Sequence, residues 1–123
     1  MNVVDSSGWL EYFADGKNAA FFAPAIEKTG ALIVPTIGLY EVFKRVLQQR
    51  DESQALRAVA VMQQGVVVDL TTSIALNAAK LAADSRLPMA DSVMLATARL
   101  YSALLWTQDV DFEGIPGVRY VPA

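Results

Sequence analysis

The sequence predicts an α/β fold in which a parallel sheet of about five strands is flanked by helices on both faces. Two observations support this prediction. Short apolar runs of strand length alternate along the chain with longer segments of helical periodicity. The apolar runs also have the character of buried strands, which is typical of a parallel sheet covered on both sides. The 123 residues contain no linker, repeat or low-complexity stretch, so we expect one domain over residues 1–123.

Five apolar segments are predicted as strands. They cover residues 1–4, 31–34, 66–70, 104–107 and 118–121. Sheets of this kind bind ligands in the crevice outside the carboxyl ends of their strands. Residues that directly follow a strand are therefore the first candidates for a functional site.

Six segments are predicted as helices, and the first three cover residues 6–14, 18–28 and 36–49. Asp5, Ser6 or Ser7 can cap the first helix, and Gly16 stops it. Pro24 marks a break or a first-turn position in the second. The third has apolar residues at helical spacing: Leu39, Phe43, Val46 and Leu47.

The last three predicted helices cover residues 52–64, 72–85 and 89–102. Gly65 ends the first of these three. Thr71 and Thr72 begin the next helix, and Pro88 opens the last one. Each long apolar-periodic segment thus lies between two predicted strands or beside another helix, as an α/β fold requires.

Composition excludes several kinds of chemistry. The chain has no cysteine, and therefore no disulfide, thiolate nucleophile or cysteine zinc site. It also has no histidine, which excludes a Ser-His-Asp triad and the H-E-x-x-H zinc motif. Ligation by oxygen alone favours Mg²⁺ or Mn²⁺ over zinc or copper. No apolar run approaches the ~20 residues that span a bilayer, and the N-terminus lacks signal-peptide character, so we expect a cytoplasmic protein.

Charge alone argues against a polyanionic partner, because the net charge is −3. Five acids, however, stand where a surface role is hard to justify: Asp5, Glu41, Asp91, Asp109 and Asp111. Without these five the rest of the chain carries a charge of +2. If cations neutralise the five acids, the remaining surface does not have to repel phosphate.

The acids occupy informative positions in the predicted fold. Asp5 and Asp109 lie just past the ends of the first and fourth strands, so both point toward the crevice at the carboxyl edge. Asp91 lies in the first turn of its helix, where the helix dipole favours the ionised form. Glu41 lies inside the apolar stretch IGLYEVF, where a carboxylate loses hydration at a large cost in free energy.

Each acid taken alone also has an ordinary structural explanation. Asp5 is a suitable helix N-cap, and Asp91 can satisfy backbone N–H groups of a first turn. The two acids after the fourth strand fit a turn. Glu41 has Lys44 and Arg45 at i+3 and i+4, which is the spacing of an ordinary helical ion pair.

Convergence of these acids would have a definite energetic consequence. Four carboxylates about 5 Å apart repel in each pair by roughly 3 kcal/mol at an effective dielectric of about 20, and the total is on the order of 20 kcal/mol. That total exceeds the roughly 5–15 kcal/mol by which a domain is stable. Such a cluster therefore binds cations, takes up protons or does not form.

Four segments of the chain match a known family. They are VVDSSGWLEYF, VPTIGLYEVFKRV, LPMADSVMLATAR and LLWTQDVDFEGIPGVRY, in family order and with family-like spacing. The chain resembles PIN-domain ribonucleases and, within them, the VapC-like toxins of bacterial VapBC toxin–antitoxin pairs. The resemblance covers essentially residues 1–123. It implies a five-stranded parallel sheet flanked by helices.

The resemblance also implies a site that binds Mg²⁺ or Mn²⁺ through an acidic quartet. Carried over to this sequence, the quartet is Asp5, Glu41, Asp91 and Asp109. Asp111 matches an additional acid of many members, and whether it or Asp109 lies nearer the metal is left open. Ser6 and Thr107 match hydroxyls that are expected to orient water or phosphate.

On this resemblance we expect an endoribonuclease in which a metal-activated water cleaves phosphodiester bonds in line, leaving 5′-phosphate and 3′-hydroxyl ends. The candidates for holding the RNA backbone are Lys44, Arg45, Arg86 and Arg99. A cognate VapB-like antitoxin and a homodimer are implied as well. A groove for a partner helix is expected on the first two helices, from the apolar residues Trp9, Leu10, Tyr12, Phe13, Phe21, Phe22 and Ile26.

Two other kinds of protein are compatible with parts of the sequence. A phospho-acceptor receiver domain has a similar length and acids at strand ends, and Asp69 would be its acceptor. The chain lacks the adjacent acidic pair after the first strand and the lysine after the last strand that such a domain uses. A non-catalytic PIN-type module that binds RNA or protein is the other alternative.

Overall fold

Five short strands form a fully parallel sheet in the computed structural model, which describes residues 1–123. The strands are β1 Asn2–Val4, β2 Leu32–Pro35, β3 Val66–Val68, β4 Leu104–Thr107 and β5 Val118–Tyr120. Their order in the sheet is β3-β2-β1-β4-β5, and all four neighbouring pairs are parallel. The α/β fold predicted from the sequence is therefore confirmed.

Six α-helices connect the strands. They are α1 Ser6–Phe13, α2 Ala19–Glu27, α3 Thr36–Gln49, α4 Glu52–Met62, α5 Thr72–Ser85 and α6 Met89–Leu100. Short 3₁₀ turns cover Thr29–Ala31 and Val110–Phe112. No helix combines the length and the apolar character that crossing a membrane requires.

The predicted boundaries differ from the observed ones mainly where an element loses its partners. β3 ends at Val68 rather than at residue 70, because this edge strand pairs only with β2 and the last register pair joins Pro35 to Val68. α6 ends at Leu100 rather than at residue 102, and Ser102 has a positive φ of 51° that no helix can continue.

Alternating strand residues supply a core on each face of the sheet. Val3 packs in one apolar cluster, with Met94 of α6. Val4 packs in the other, with Trp9 of α1 and Phe22 of α2. This alternation follows from the two-residue period of a strand, and it covers both faces with helices, as the continuous apolar runs predicted.

The strand order places the ligand crevice beside β1. In the order 3-2-1-4-5 the direction of the crossovers reverses between β1 and β4, and a crevice opens at such a point outside the carboxyl ends of the strands. Receiver domains have the order 2-1-3-4-5 instead. The receiver alternative is therefore wrong for this chain, and Asp69 follows the edge strand β3, two strands away from β1.

The apolar side chains of the first two helices are mostly core, not a partner groove. Trp9, Phe22 and Ile26 are buried in one apolar cluster. The other four residues of the predicted groove pack against the same cluster. These apolar side chains cover one face of the sheet, because α2 contacts β1 and α1 contacts both β1 and β4. The predicted groove on these helices is not present as an open apolar surface.

Candidate metal centre

Asp5 occupies the centre of the crevice, directly after β1. Its side chain is 3% exposed. One oxygen, Oδ1, accepts hydrogen bonds from the Gly8 amide at 2.9 Å and from the Ser7 hydroxyl at 2.8 Å. The other, Oδ2, accepts from the Thr107 hydroxyl at 2.6 Å. Asp5 is thus the N-cap of α1, and the cap fixes the direction of its carboxylate.

Gly8 allows α1 to begin this close to the sheet. A Cβ at Gly8 would lie 2.7 Å from side-chain atoms of both Phe22 and Val4, a distance that van der Waals packing does not allow. Any larger residue would push the first turn of α1 outward. The backbone N–H that donates to Asp5 belongs to the same glycine. Packing of α1 against the sheet and the orientation of the Asp5 carboxylate are therefore linked.

Thr107 connects Asp5 to the acids that follow β4. Its fully buried hydroxyl donates to Asp5 and accepts a hydrogen bond from the backbone N–H of Asp109 at 2.9 Å. The Asp109 side chain in turn accepts from the N–H of Asp111 at 2.9 Å and so caps the 3₁₀ turn. The hydroxyl predicted to orient water or phosphate is engaged in holding two acids in place.

Three acids form a group with the geometry of a cation site. One carboxylate oxygen each from Asp91, Asp109 and Asp111 lies within 4.8 Å of the other two. Asp91 comes from the first turn of α6 and the other two from the turn after β4. The structure therefore places both Asp109 and Asp111 beside Asp91.

Glu41 reaches the crevice from α3. Its Oε1 accepts a hydrogen bond from the Ser6 hydroxyl at 2.9 Å. Ser6, the second predicted hydroxyl, thus contacts an acid of the predicted quartet. Glu41 and Asp5 lie outside the group of three acids, yet both raise the pKa of Asp91 through their charge, so all five acids share one electrostatic environment.

Burial and mutual repulsion raise the pKa values of the central acids. Burial raises the pKa of Asp5 from 3.8 to about 6, although hydrogen bonds from Thr107, Gly8 and Ser7 oppose the rise. The pKa of Asp91 rises from 3.8 to about 7, mainly through burial and then through the charge of Asp109. Burial also raises the pKa of Glu41, against the hydrogen bond from Ser6. The cluster forms, and in the absence of a cation it takes up protons.

The donor set fits a hard divalent cation. Every candidate ligand atom is a carboxylate oxygen, and the site has no nitrogen or sulfur donor. Hard cations such as Mg²⁺ and Mn²⁺ prefer oxygen ligands. Asp91, Asp109 and Asp111 are placed to hold such an ion, and Asp5 and Glu41 are near enough to act on Asp91 through their charge.

Two of the four predicted RNA-backbone cations line a cleft with one of the acids, Glu41. Lys44 and Arg45 line a cleft of about 390 Å³ whose wall also includes Ser6 and Glu41. Arg86 is exposed at the C-terminus of α5, with a φ of 56°. Arg99 lies eight residues after Asp91 on α6, about 12 Å along the helix axis, and donates to the Pro116 carbonyl at 3.4 Å. The structure does not bring Arg99 near the acids.

Sequence reasoning missed two contributors to the site. Ser7 donates directly to Asp5, and its only signal in the sequence is its place among the three possible caps of the first helix. Asn18 donates to the Gln108 side chain, next to Asp109, at 2.9 Å. Asn18 and Gln108 are 90 positions apart in the sequence, so no local pattern links them.

The chain matches a family model and several solved structures. The model of the PIN domain matches residues 3–118. No curated protein matches the chain. A toxin–antitoxin complex from Klebsiella pneumoniae contains a chain that is 25% identical, with a TM-score of 0.78 over 97% of this chain and 96% of that one.

Two further structures have the same fold at lower identity. The VapC20 toxin from Mycobacterium tuberculosis, which cleaves the sarcin-ricin loop, is 18% identical, with a TM-score of 0.77 over 94% of this chain and 95% of that one. DNA-bound VapBC from Salmonella typhimurium is 17% identical, with a TM-score of 0.75 over 99% and 98%. Because the family model covers most of the sequence and the fold agrees over the whole length, this chain belongs to the PIN domain family.

Proposed function

We propose that this chain is a metal-dependent endoribonuclease and the toxin of a type II toxin–antitoxin pair, with residues 1–123 as a single PIN domain. The observation that carries the proposal is the convergence of Asp91, Asp109 and Asp111 within 4.8 Å, beside buried Asp5. A group of this charge favours a bound cation at neutral pH, because the alternative is uptake of protons. The likeness to the Klebsiella pneumoniae complex and to VapC20 supports the choice of reaction and partner.

In this proposal Mg²⁺ or Mn²⁺ is held by the acids after β4 and at the start of α6, with Asp5 and Glu41 contributing directly or through water. A bound divalent ion supplies an acidified water for in-line attack and neutralises charge that develops on the phosphoryl oxygens. Cleavage breaks a phosphodiester bond of RNA and leaves 5′-phosphate and 3′-hydroxyl ends.

The protein's own residues fix the geometry of this site. Thr107 is a positioning residue, because its hydroxyl joins Asp5 to the backbone of Asp109. Ser6 holds Glu41 in the same way. Asp5, Glu41 and Asp109 are thus held by hydrogen bonds to neighbours, and preorganisation of this kind lowers the cost of assembling ligands around an ion.

We place the antitoxin on the side of α3 that faces α4. An apolar groove of about 490 Å³ lies there between α3 and α4, lined by Leu39, Tyr40, Phe43, Lys44, Leu47 and Val59. Tyr40 and Leu47 are 59% and 44% exposed. An amphipathic helix of a VapB-like antitoxin is suited to cover such side chains. A homodimer remains part of the proposal.

The test is cleavage of total RNA by the purified chain with Mg²⁺, with Mn²⁺ and with EDTA. We expect discrete products that require metal. Asp91→Asn removes a ligand while keeping the size of the side chain, and we expect it to lower the cleavage rate by at least about 100-fold. Asp69→Asn is the matched control, because Asp69 is an exposed aspartate outside the cluster.

Two results would contradict the proposal. Metal-dependent cleavage that persists unchanged in Asp91→Asn would remove the acids from the chemistry. Absence of cleavage by folded protein that binds Mn²⁺ would favour the non-catalytic PIN-type module, in which the cation serves only to neutralise the cluster.

A further inference from the structure

A continuous cleft, polar at its Glu41 end, runs along the boundary of α1 and α3. It consists of two adjoining cavities of about 390 and 460 Å³ that share Ser7, Leu10 and Arg45. Ser6 and Glu41 line its end at the acids. Arg50 and Gln108 line the other cavity. We call this feature the α1–α3 cleft.

The lining of the α1–α3 cleft is suited to a polyanion that carries hydrogen-bonding groups. Three exposed cations line it, namely Lys44, Arg45 and Arg50, and they outnumber its two acids, Glu11 and Glu41. Four of the six glutamines of the chain line it as well, namely Gln48, Gln49, Gln54 and Gln108. Cations meet backbone phosphates, and amide side chains form hydrogen bonds with the edges of unpaired bases.

The two sides of α3 differ in chemistry. Toward α1 the helix presents Arg45 and Gln48 to the polar cleft. Toward α4 it presents Leu39, Phe43 and Leu47 to the apolar groove. The apolar groove suits a protein helix, whereas the polar cleft suits a charged and hydrated strand. This division favours RNA over a protein segment as the occupant of the α1–α3 cleft.

Hydrogen bonds fix the orientation of the Gln108 side chain. The Asn18 side chain contacts the carbonyl of Pro122 at 2.9 Å. A carbonyl only accepts, so this end of Asn18 is its NH₂ group. The same NH₂ group contacts Gln108 at 2.9 Å, and Gln108 therefore offers its oxygen to Asn18. The NH₂ group of Gln108 is left to donate to a ligand.

The position of Gln108 makes this orientation relevant to selectivity. Gln108 lies between Thr107 and Asp109, so its side chain is attached to the backbone that carries the cation site. A fixed NH₂ donor favours a base that offers an oxygen acceptor, such as uracil O4 or guanine O6. Cytosine N4 and adenine N6, at the same position of the base, are donors themselves, so this preference holds where Gln108 contacts that exocyclic position.

Resting on the proposed ribonuclease activity, we propose that the α1–α3 cleft holds the single-stranded RNA segment next to the scissile phosphate. Lys44, Arg45 and Arg50 bind its phosphates. Gln108, positioned by Asn18, selects a uracil or guanine over a cytosine or adenine at the base it contacts. Asn18 acts through Gln108 and is a positioning residue.

Binding is measured first, in an Asp91→Asn background with Mg²⁺ so that the RNA stays intact. The probe is a 5′-fluorescein-labelled single-stranded 12-mer RNA of mixed sequence, followed by fluorescence anisotropy at several salt concentrations. Each lost phosphate contact lowers the slope of log affinity against log salt by about 0.7 for single strands. We expect that decrease for Arg45→Ala and for Arg50→Ala, and no decrease for Arg99→Ala, which removes an arginine near the other end of α6.

Selectivity is measured with U12 and C12 RNA in the same assay. We expect U12 to bind about fivefold more tightly than C12, the difference that one hydrogen bond makes. Gln108→Glu replaces the donor by an acceptor and should reverse the preference. Asn18→Ala should bring the ratio close to one. Gln64→Glu is the control, because Gln64 is exposed and lies outside the cleft.

The outcomes separate this inference from the proposed function. If the wild-type chain cleaves RNA while the arginine and Gln108 variants bind and cleave as the wild type does, the cleft is not the RNA site but the ribonuclease activity stands. A loss in Arg99→Ala as large as that in Arg45→Ala overturns the placement as well. Cleft variants that lose antitoxin affinity and keep RNA affinity assign the cleft to the protein partner instead. Binding that follows the expected pattern, without cleavage by the wild type, supports the RNA cleft and contradicts the proposed function.

Discussion

At the scale of single residues, ordinary structural roles and functional roles coincide at the same side chains. Asp5 is an N-cap, as an ordinary helix start requires, and the cap bonds hold its carboxylate at the crevice. Asp91 is a first-turn acid and also a member of the cation group. The cap at Asp5 and the turn at Asp109 are confirmed, and neither excludes a part in the site. Asp91 accepts no backbone N–H, and Glu41 accepts from Ser6 instead of forming an ion pair with Lys44 or Arg45.

Thr107 provides a test at this scale. Thr107→Val keeps the shape but removes the hydroxyl, and leaves Oδ2 of buried Asp5 and the N–H of Asp109 each without a partner. We expect a loss of about 1–3 kcal/mol in the free energy of unfolding, the cost of burying unsatisfied polar groups. Urea denaturation measures it.

Thr107→Ser is the control for that experiment, because it retains the hydroxyl and loses only a methyl group. We expect it to lose clearly less stability than the valine variant and to retain metal-dependent cleavage. Equal losses in the two variants would mean that packing of the methyl group, rather than the hydrogen bonds, accounts for the contribution of Thr107.

At the scale of elements, the start of α1 and the end of β1 behave as one unit. The N–H of Asp5 donates to the Trp106 carbonyl at 3.1 Å, which extends the contact between β1 and β4 by one residue. Three residues later Gly8 packs against Val4 and Phe22. Displacing the first turn of the helix therefore displaces the acid.

Gly8→Ala is expected to destabilise the protein by about 1–3 kcal/mol through overpacking, since the added Cβ would meet side-chain atoms at 2.7 Å. The Gly8 N–H donates to the Asp5 carboxylate. Displacing Gly8 should therefore also lower the affinity of the site for Mn²⁺. Thermal unfolding and Mn²⁺ titration measure the two effects.

Gly30→Ala is the matched substitution, because a Cβ at Gly30 has nothing within 4 Å. It should leave the stability unchanged or raise it by up to about 1 kcal/mol by restricting the unfolded chain. Equal effects of the two substitutions would show that steric contact does not decide the position of α1.

At the scale of the whole molecule, the titration of the buried acids makes the free energy of unfolding depend on pH. The pKa values of Asp5 and Asp91 are about 6 and 7 in the folded chain, mainly because of burial, and 3.8 is their ordinary value. The folded state therefore holds protons that the unfolded state releases between about pH 4 and 7. Their contribution is fully present below pH 4 and is lost as the pH rises through 7.

We therefore expect the metal-free protein to lose stability as the pH rises from 4 to 7, with Asp5 alone contributing on the order of 3 kcal/mol. Added Mg²⁺ binds the ionised acids, so it should raise the melting temperature more at pH 8 than at pH 5. Differential scanning fluorimetry in EDTA and in Mg²⁺ measures both effects.

Asp91→Asn isolates the cluster in that experiment. Without this titrating group the decline between pH 4 and 7 should be smaller, and the metal-free variant should melt above the wild type at pH 8. A pH profile in Asp91→Asn that matches the wild type would mean that repulsion within the cluster does not control stability. Asp69→Asn should match the wild type throughout.

Periodicity and capping are local properties, so the sequence alone predicts the strands, the helices and the side chains that follow the strands. It also placed Asp5 and Asp109 at the carboxyl edge, since a parallel sheet exposes that edge to ligands. The contacts between distant segments exist only in the folded chain. Asp111 lies beside Asp91, and Thr107 joins Asp5 to Asp109. Asn18 contacts Gln108, whereas Arg99 contacts the Pro116 carbonyl. Those contacts depend on strand order and helix packing, which join residues up to about a hundred positions apart, and no local pattern in the sequence records such distances.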